Sequence, residues 1–281
     1  MQKTIKQMRP VYVVDKPALI PRADDGSPGD LINKMLMPVN HFALLANQYG
    51  ELHNVTHEQL AAVAVKNHKN GSKNPFAQRQ KERTLEDVLA PPYLAGLLNR
   101  LHCCPIGEGA AAVVVASMEA IKQLGLSLER SVHVLASVSR SERLYGPGEN
   151  WDVALTRETT EQAYEEAGIS AEQLDVVELH DAFTIEEIMY AEAMGLSLPG
   201  RAAADITAGK FDIGGRCALS PSGGLLSMGH PIGPTGVGQI AEVTRQLRGE
   251  AGARQQPNAR TGLAHMVGVG AVCVVHILQR A

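Results

Sequence analysis

Aromatic residues are scarce: Phe, Trp and Tyr together make up 4% of the 281 residues. Base stacking therefore has few platforms. Positive charge is not in excess either, since 26 Lys and Arg face 30 Asp and Glu for a net charge of −4. That argues against nucleic-acid binding driven by phosphate neutralisation. Cysteine is limited to Cys103, Cys104, Cys217 and Cys273, two adjacent and none in a C-x-x-C pair. Neither a disulfide scaffold nor a zinc finger fits, and no metal is expected. No apolar run reaches the ~18 residues of a membrane span. Residues 1–10 are basic but lack the apolar core of a secretion signal. These absences lead to the expectation of a cytoplasmic protein with no nucleic-acid partner. What is present, 44% hydrophobic residues over this length, suffices for a core without staples.

Residues 1–33 read as irregular, with a loop cluster at 24–29 and one strand-like stretch at Val11–Val14. Periodicity predicts a helix over 41–48. Thr56 and Gln59 form a capping box for a second helix running to about Asn67. Residues 66–84 are polar and basic, carrying Lys66, Lys69, Lys73, Arg79, Lys81 and Arg83 against Glu82. This stretch is either a solvated loop or one facing an anion such as a phosphate-bearing cofactor. Thr84 and Asp87 restart a helix. Ala110–Ala116 is nearly pure Ala and Val, the pattern of a strand buried on both faces. A helix over 118–124, a strand over 131–138 and a helix over 159–167 follow. A short buried strand over 176–179 then ends on His180 and Asp181. Helices are predicted over 185–194, with Thr184 as cap, and over 232–247. Residues 200–215 read as loop, and 261–267 and 271–278 as a final strand pair. Strands alternating with helices predict an α/β protein with a mixed sheet.

Three histidines stand at element ends. His180 closes the short strand, His230 precedes the long helix, and His265 lies in the strand before Gly268 and Gly270. Ligands of α/β sheets gather beyond strand ends. A histidine at a helix start tends to stay neutral, and a neutral imidazole can act as base or donor. Taken singly, each could be an ordinary structural histidine. Ser222-Gly223-Gly224 precedes His230, and glycine permits close backbone approach to a ligand. The pattern is neither a Walker motif nor a dinucleotide fingerprint.

Together, His180-Asp181-Ala182-Phe183, the run Gly229-His230-Pro231-Ile232-Gly233-Pro234-Thr235-Gly236 and the segment His265–Gly270 resemble the thiolase superfamily. The closer likeness is to sterol-carrier-protein-type thiolases and related lipid-transfer proteins. Lys66-Asn67-His68-Lys69, Asn74-Pro75-Phe76, Cys103-Cys104-Pro105 and the run 246–252 resemble the same subgroup. The resemblance implies an α/β, thiolase-like mixed sheet with helices on both faces. It implies three parts: an irregular segment 1–33, a remnant of the first domain with its loop domain at 34–122, and a second domain at 123–281. The second half is expected to be complete, and the first truncated to a loop domain and one core strand, 110–116.

The implied chemistry is acyl transfer between coenzyme A thioesters, by Claisen condensation or thiolysis of a 3-oxoacyl-CoA. Coenzyme A enters as substrate, and no covalently bound cofactor is expected. By resemblance His230 activates a nucleophilic cysteine and helps bind the thioester oxygen, His180 helps form an oxyanion hole, and His265 lines the same pocket. Ser222, Gly223, Lys69, Lys73 and Arg79 are the candidate contacts to the CoA ester. The family's nucleophilic cysteine lies ahead of the stretch matching residue 41, where this sequence has none. Ala182 stands where the subgroup often has cysteine, Met266 where asparagine is usual, and Pro234 where alanine is usual. The chain is thus expected to be inactive alone, and to need the missing half from a second polypeptide or from a longer gene product. Once completed it is expected to form a homo-oligomer. Two other functions remain open: a non-catalytic acyl-CoA-binding or assembly protein, and a lyase splitting a β-hydroxyacyl-CoA by retro-aldol chemistry.

Overall fold

A computed structural model describes residues 38–146, 150–268 and 272–281. The loop cluster at 24–29 and the strand-like stretch at Val11–Val14 lie outside the described residues.

Helix α1 (Pro38–His53) and helix α2 (His57–Ser72) come first. The Thr56–Gln59 capping box is formed in both directions, so α2 starts where expected. It runs about one turn beyond Asn67, because Lys66 is not a loop cation. Its ammonium is buried, 3.0 Å from the Glu187 carboxylate, and also donates to the Leu219 carbonyl. Residues 66–72 therefore correct the expected basic loop. Helix α3 (Leu85–Leu89) follows the Thr84–Asp87 box, and a small hairpin pairs β1 (Tyr93–Ala95) with β2 (Leu98–Asn99).

The stretch Ala110–Ala116 corrects a second expectation. It forms no strand and is exposed apart from half-buried Ala111; Val114 is 96% and Val115 83% exposed. A strand buried on both faces needs backbone partners at its edges and cover above and below. Among the described residues nothing supplies them. Helix α4 (Met118–Gln123) then leads into the main sheet.

That sheet has the order β3 (Val132–Ser141), β7 (Val272–Arg280), β6 (Thr261–Gly268), β4 (Val176–Glu178) and β5 (Ala218–Leu219). β7 is antiparallel to both β3 and β6, while β4 runs parallel to β6 and β5. It is the expected mixed sheet. The pleat divides its residues between two helical layers. Val177, Leu263, Val275 and Ile277 join Leu155 of helix α5 (Trp151–Ala167). Val176, Ala264 and Leu278 meet Val243 and Leu247 of helix α9 (Thr235–Arg248) on the other face. Burying each of the valine, leucine and isoleucine side chains contributes about 1.5–3 kcal/mol.

Helix α5 starts about two turns before the periodic part, at Trp151, where the Asn150 side chain accepts from the Val153 amide. Helix α6 (Thr184–Ala193) is not capped by Thr184, whose hydroxyl has no partner. The Glu186 carboxylate instead reaches back to the Phe183 amide. Helix α7 (Ala202–Thr207) occupies part of the stretch read as loop, and α8 (Gly224–Ser227) is a single turn. α9 begins three residues later than expected, at Thr235, with Pro234 as the residue that precedes it.

Candidate active site

The end of β4 delivers His180, and the loop before α9 delivers His230. Their rings meet edge to face with centroids 5.2 Å apart. The segment 102–106 stitches the two loops together. The Cys104 amide donates to the Ala182 carbonyl at 2.7 Å, the Thr184 amide to the His102 carbonyl, and Ile106 bridges His230.

Hydrogen bonds assign the protons. Thr235 Oγ1 lies 2.7 Å from the Pro231 carbonyl, which can only accept, so its one proton goes there. His230 Nδ1, 2.9 Å from the same oxygen, must then be the donor. Nε2 of His230 is left with its lone pair. Burial and the neighbouring His180 push the His230 pKa down to about 4, so the ring is neutral at ordinary pH. His180 Nδ1 lies 2.9 Å from Glu186 Oε1.

His265 has a different task. Its Nδ1 accepts the His180 amide at 3.3 Å, and its Nε2 faces Thr156 Oγ1 at 3.1 Å. Both nitrogens are engaged and the ring is fully buried, with its pKa lowered to about 3 by burial first and His180 second. The ring braces the His180 backbone from inside the core. It presents nothing to a ligand.

The four thiols do not form an activated nucleophile. Burial pushes Cys103 and Cys273 up to about 11 and Cys104 and Cys217 up to about 12; the Glu186 and Asp181 charges add to the rise at Cys104. A useful nucleophile needs the opposite shift.

Residues 139–280 match the family model described as thiolase C-terminal domain-like. The chain belongs to the thiolase family. It is 37% identical over 245 residues to rabbit sterol carrier protein 2, covering 85% of this chain and 44% of that protein. It is 39% identical over 231 residues to benzoylsuccinyl-CoA thiolase subunit BbsB of Thauera aromatica, covering 82% and 60%. Among solved structures, an Ltp2-ChsH2(DUF35) aldolase shares the fold with a TM-score of 0.77 at 22% identity, over 95% of this chain and 70% of that one. This thiolase-family chain thus spans about half the length of the curated relatives it matches. No helix among the described residues is long and apolar enough to cross a membrane.

Within the thiolase fold, the remaining sequence candidates fall away from the histidine pair. Ser222 is fully buried, its amide and hydroxyl both donating to Glu178. Gly223 and Gly224 have φ of +104° and +59°. A side chain at Gly223 would meet Gly71 at 2.7 Å, and one at Gly224 would overlap Asp181. The close approach they permit is between parts of this chain. Arg79 donates to the Cys103 and Leu226 carbonyls at 3.0 and 3.1 Å, so it anchors loops. Lys69 is exposed and 3.3 Å from Asp212, and Lys73 caps the end of α2.

Three residues have a place at the site that the sequence did not assign to them. Glu186 lies six residues beyond His180, where the strand-to-helix turn brings it back. Thr235 lies one helical turn past Pro231. Asp181 anchors the turn, accepting from the Leu225 amide and Asn67 Nδ2 at 2.7 and 2.6 Å. The cap residue is Phe183 and not Thr184, so a carboxylate counted three residues from the expected cap points to Glu187 and misses Glu186.

Proposed function

We propose that the His180–His230 pair is the proton-handling centre of a thiolase-type reaction. A carbon–carbon bond beside an acyl-CoA thioester is made or broken there. The observation that carries this reading is the paired geometry: two rings edge to face, each with Nδ1 tied back. In condensation, a base takes the α-proton of one acyl-CoA and the resulting enolate attacks an acyl group held as a cysteine thioester. A neutral His230 can take the thiol proton, and the ring that has taken it can donate to the developing oxyanion.

None of this chain's thiols is activated, so the reading assigns the nucleophilic cysteine to polypeptide outside this sequence. A second chain is the proposed source, and the apolar stretch Ala110–Ala116 the place it covers. The share of the relatives' length left unmatched supports this. Lys69 and Lys73 remain the proposed cations for the CoA phosphates. A homo-oligomer is proposed for the completed assembly.

A second reading is favoured by the raised thiols together with the aldolase named among the solved structures. In a retro-aldol cleavage, an imidazole takes the β-hydroxyl proton and the Cα–Cβ bond breaks. A carbonyl forms at Cβ, and the electron pair passes to the thioester enolate. Protonation at Cα releases the acyl-CoA. No thiolate takes part.

The test supplies the chain with a 3-oxoacyl-CoA and CoA, with and without a cysteine-bearing first half of a thiolase, and separately with a β-hydroxyacyl-CoA. Products are identified by mass. Thiolysis only with the added half supports the first reading. Cleavage of the hydroxy substrate by the chain alone supports the second. CoA-ester binding with no product in any mixture refutes both and leaves a binding protein.

A further inference from the structure

We propose that Glu186 is a positioning residue that decides which ring nitrogen of His180 carries the proton, so that Nε2 meets the substrate as a bare acceptor. Its catalytic meaning rests on the reading just given; the tautomer itself does not.

The Glu186 carboxylate is held as an acceptor by the backbone in front of it. Oε2 receives the Phe183 amide at 2.8 Å, and a backbone N–H can only donate. Oε1 faces His180 Nδ1 at 2.9 Å and the Tyr190 hydroxyl at 3.2 Å. That hydroxyl also lies 3.0 Å from Asp152 Oδ2. Asp152, Glu186 and Tyr190 are all buried. A carboxylate oxygen accepts, so a neutral imidazole here donates from Nδ1 and leaves Nε2 bare. The His180 backbone is fixed independently, through its amide on His265 Nδ1.

With Thr235 enforcing the same tautomer at His230, the pair presents two lone pairs and no ready donor. Such a pair abstracts a proton first. The ring that receives it then becomes the donor for the developing oxyanion. A His180 donating from Nε2 would reverse that order.

Glu186→Gln gives a specific test. The Phe183 amide still demands an oxygen, so the new NH2 turns toward His180. A donor facing Nδ1 forces the proton to Nε2. The measurement is a long-range 1H–15N correlation spectrum of histidine-labelled protein with the imidazoles neutral. His180 signals are assigned by their loss in His180→Asn. Wild-type protein should show His180 and His230 protonated at Nδ1 and His265 at Nε2. E186Q should switch His180 alone, and Tyr190→Phe should leave it unchanged. A wild-type His180 protonated at Nε2, or a folded E186Q that retains Nδ1–H, overturns the proposal. Should E186Q not fold, the wild-type spectrum decides. A chain with these tautomers but no turnover would count against the proposed reaction and not against Glu186.

Discussion

Thr235 accepts a hydrogen bond from His230 Nδ1 at 2.9 Å while donating its own proton to the Pro231 carbonyl at 2.7 Å. One hydroxyl thereby joins the first turn of α9 to the imidazole and aims its free nitrogen. Thr235→Val keeps the shape and removes the acceptor. An unpaired donor costs ~1–3 kcal/mol, and a tenfold rate change is about 1.4 kcal/mol. In whichever reaction the site performs, kcat should fall roughly 10–100-fold with KM little changed. Thr235→Ser should restore most of it. Steady-state kinetics on the three proteins check this.

Lys66 and Glu187 are both buried and 3.0 Å apart. Removing one partner leaves the other charge unpaired in the core, which typically costs ~3–5 kcal/mol. Lys66→Met should lower the urea midpoint sharply. Lys69→Met, at an exposed pair on the same helix, should change stability by less than about 1 kcal/mol. Equal effects would contradict the buried pair.

Stability should peak at about pH 7. His68, His102, His230 and His265 are lowered from 6.5 to about 4, 4, 4 and 3, chiefly by burial. Below pH 6.5 the unfolded chain takes up protons that the folded chain refuses, so stability drains away as pH falls toward 4. Glu178 has the opposite sign. Burial and the Glu242 charge raise it from 4.5 to about 8, so its contribution is complete below 4.5 and lost as pH rises through 8. Denaturation midpoints measured from pH 4 to 9 should trace this peak, and Glu178→Gln should flatten its alkaline side.

Val114 is the most exposed valine of Ala110–Ala116. Val114→Asp should shift the stability of the chain itself by no more than about 0.5 kcal/mol. It should abolish association with a complementing thiolase half, as seen by size-exclusion chromatography. A stability loss without effect on association would place the stretch in this chain's own core.

The layers and most helix starts were legible because local rules dominate there. The Thr56 and Thr84 boxes and the run-up to β6 need no distant partner. His180 and His230 were legible from their neighbours in sequence, and the structure brings them together. Lys66 was misread because its counter-ion, Glu187, stands on another helix. Ala110–Ala116 was misread for the opposite reason. Its composition specifies burial, and the surface that would bury it is not among the described residues. Glu186 was hidden because a side chain reaching back to its own cap looks like any charged helix residue.

The fully hydrogen-bonded ring of His265 changes how a histidine scan should be interpreted. Replacing His180, His230 or His265 one at a time would give three impaired proteins with two different faults. On the proposed reading, two lose a group that handles protons. The third loses the strut that holds one of those groups in register, since the His180 amide hangs on His265 Nδ1. An inactive His265 variant would therefore diagnose misalignment, and a neutral side chain that still accepts at the Nδ1 position, such as Asn, should recover part of the function.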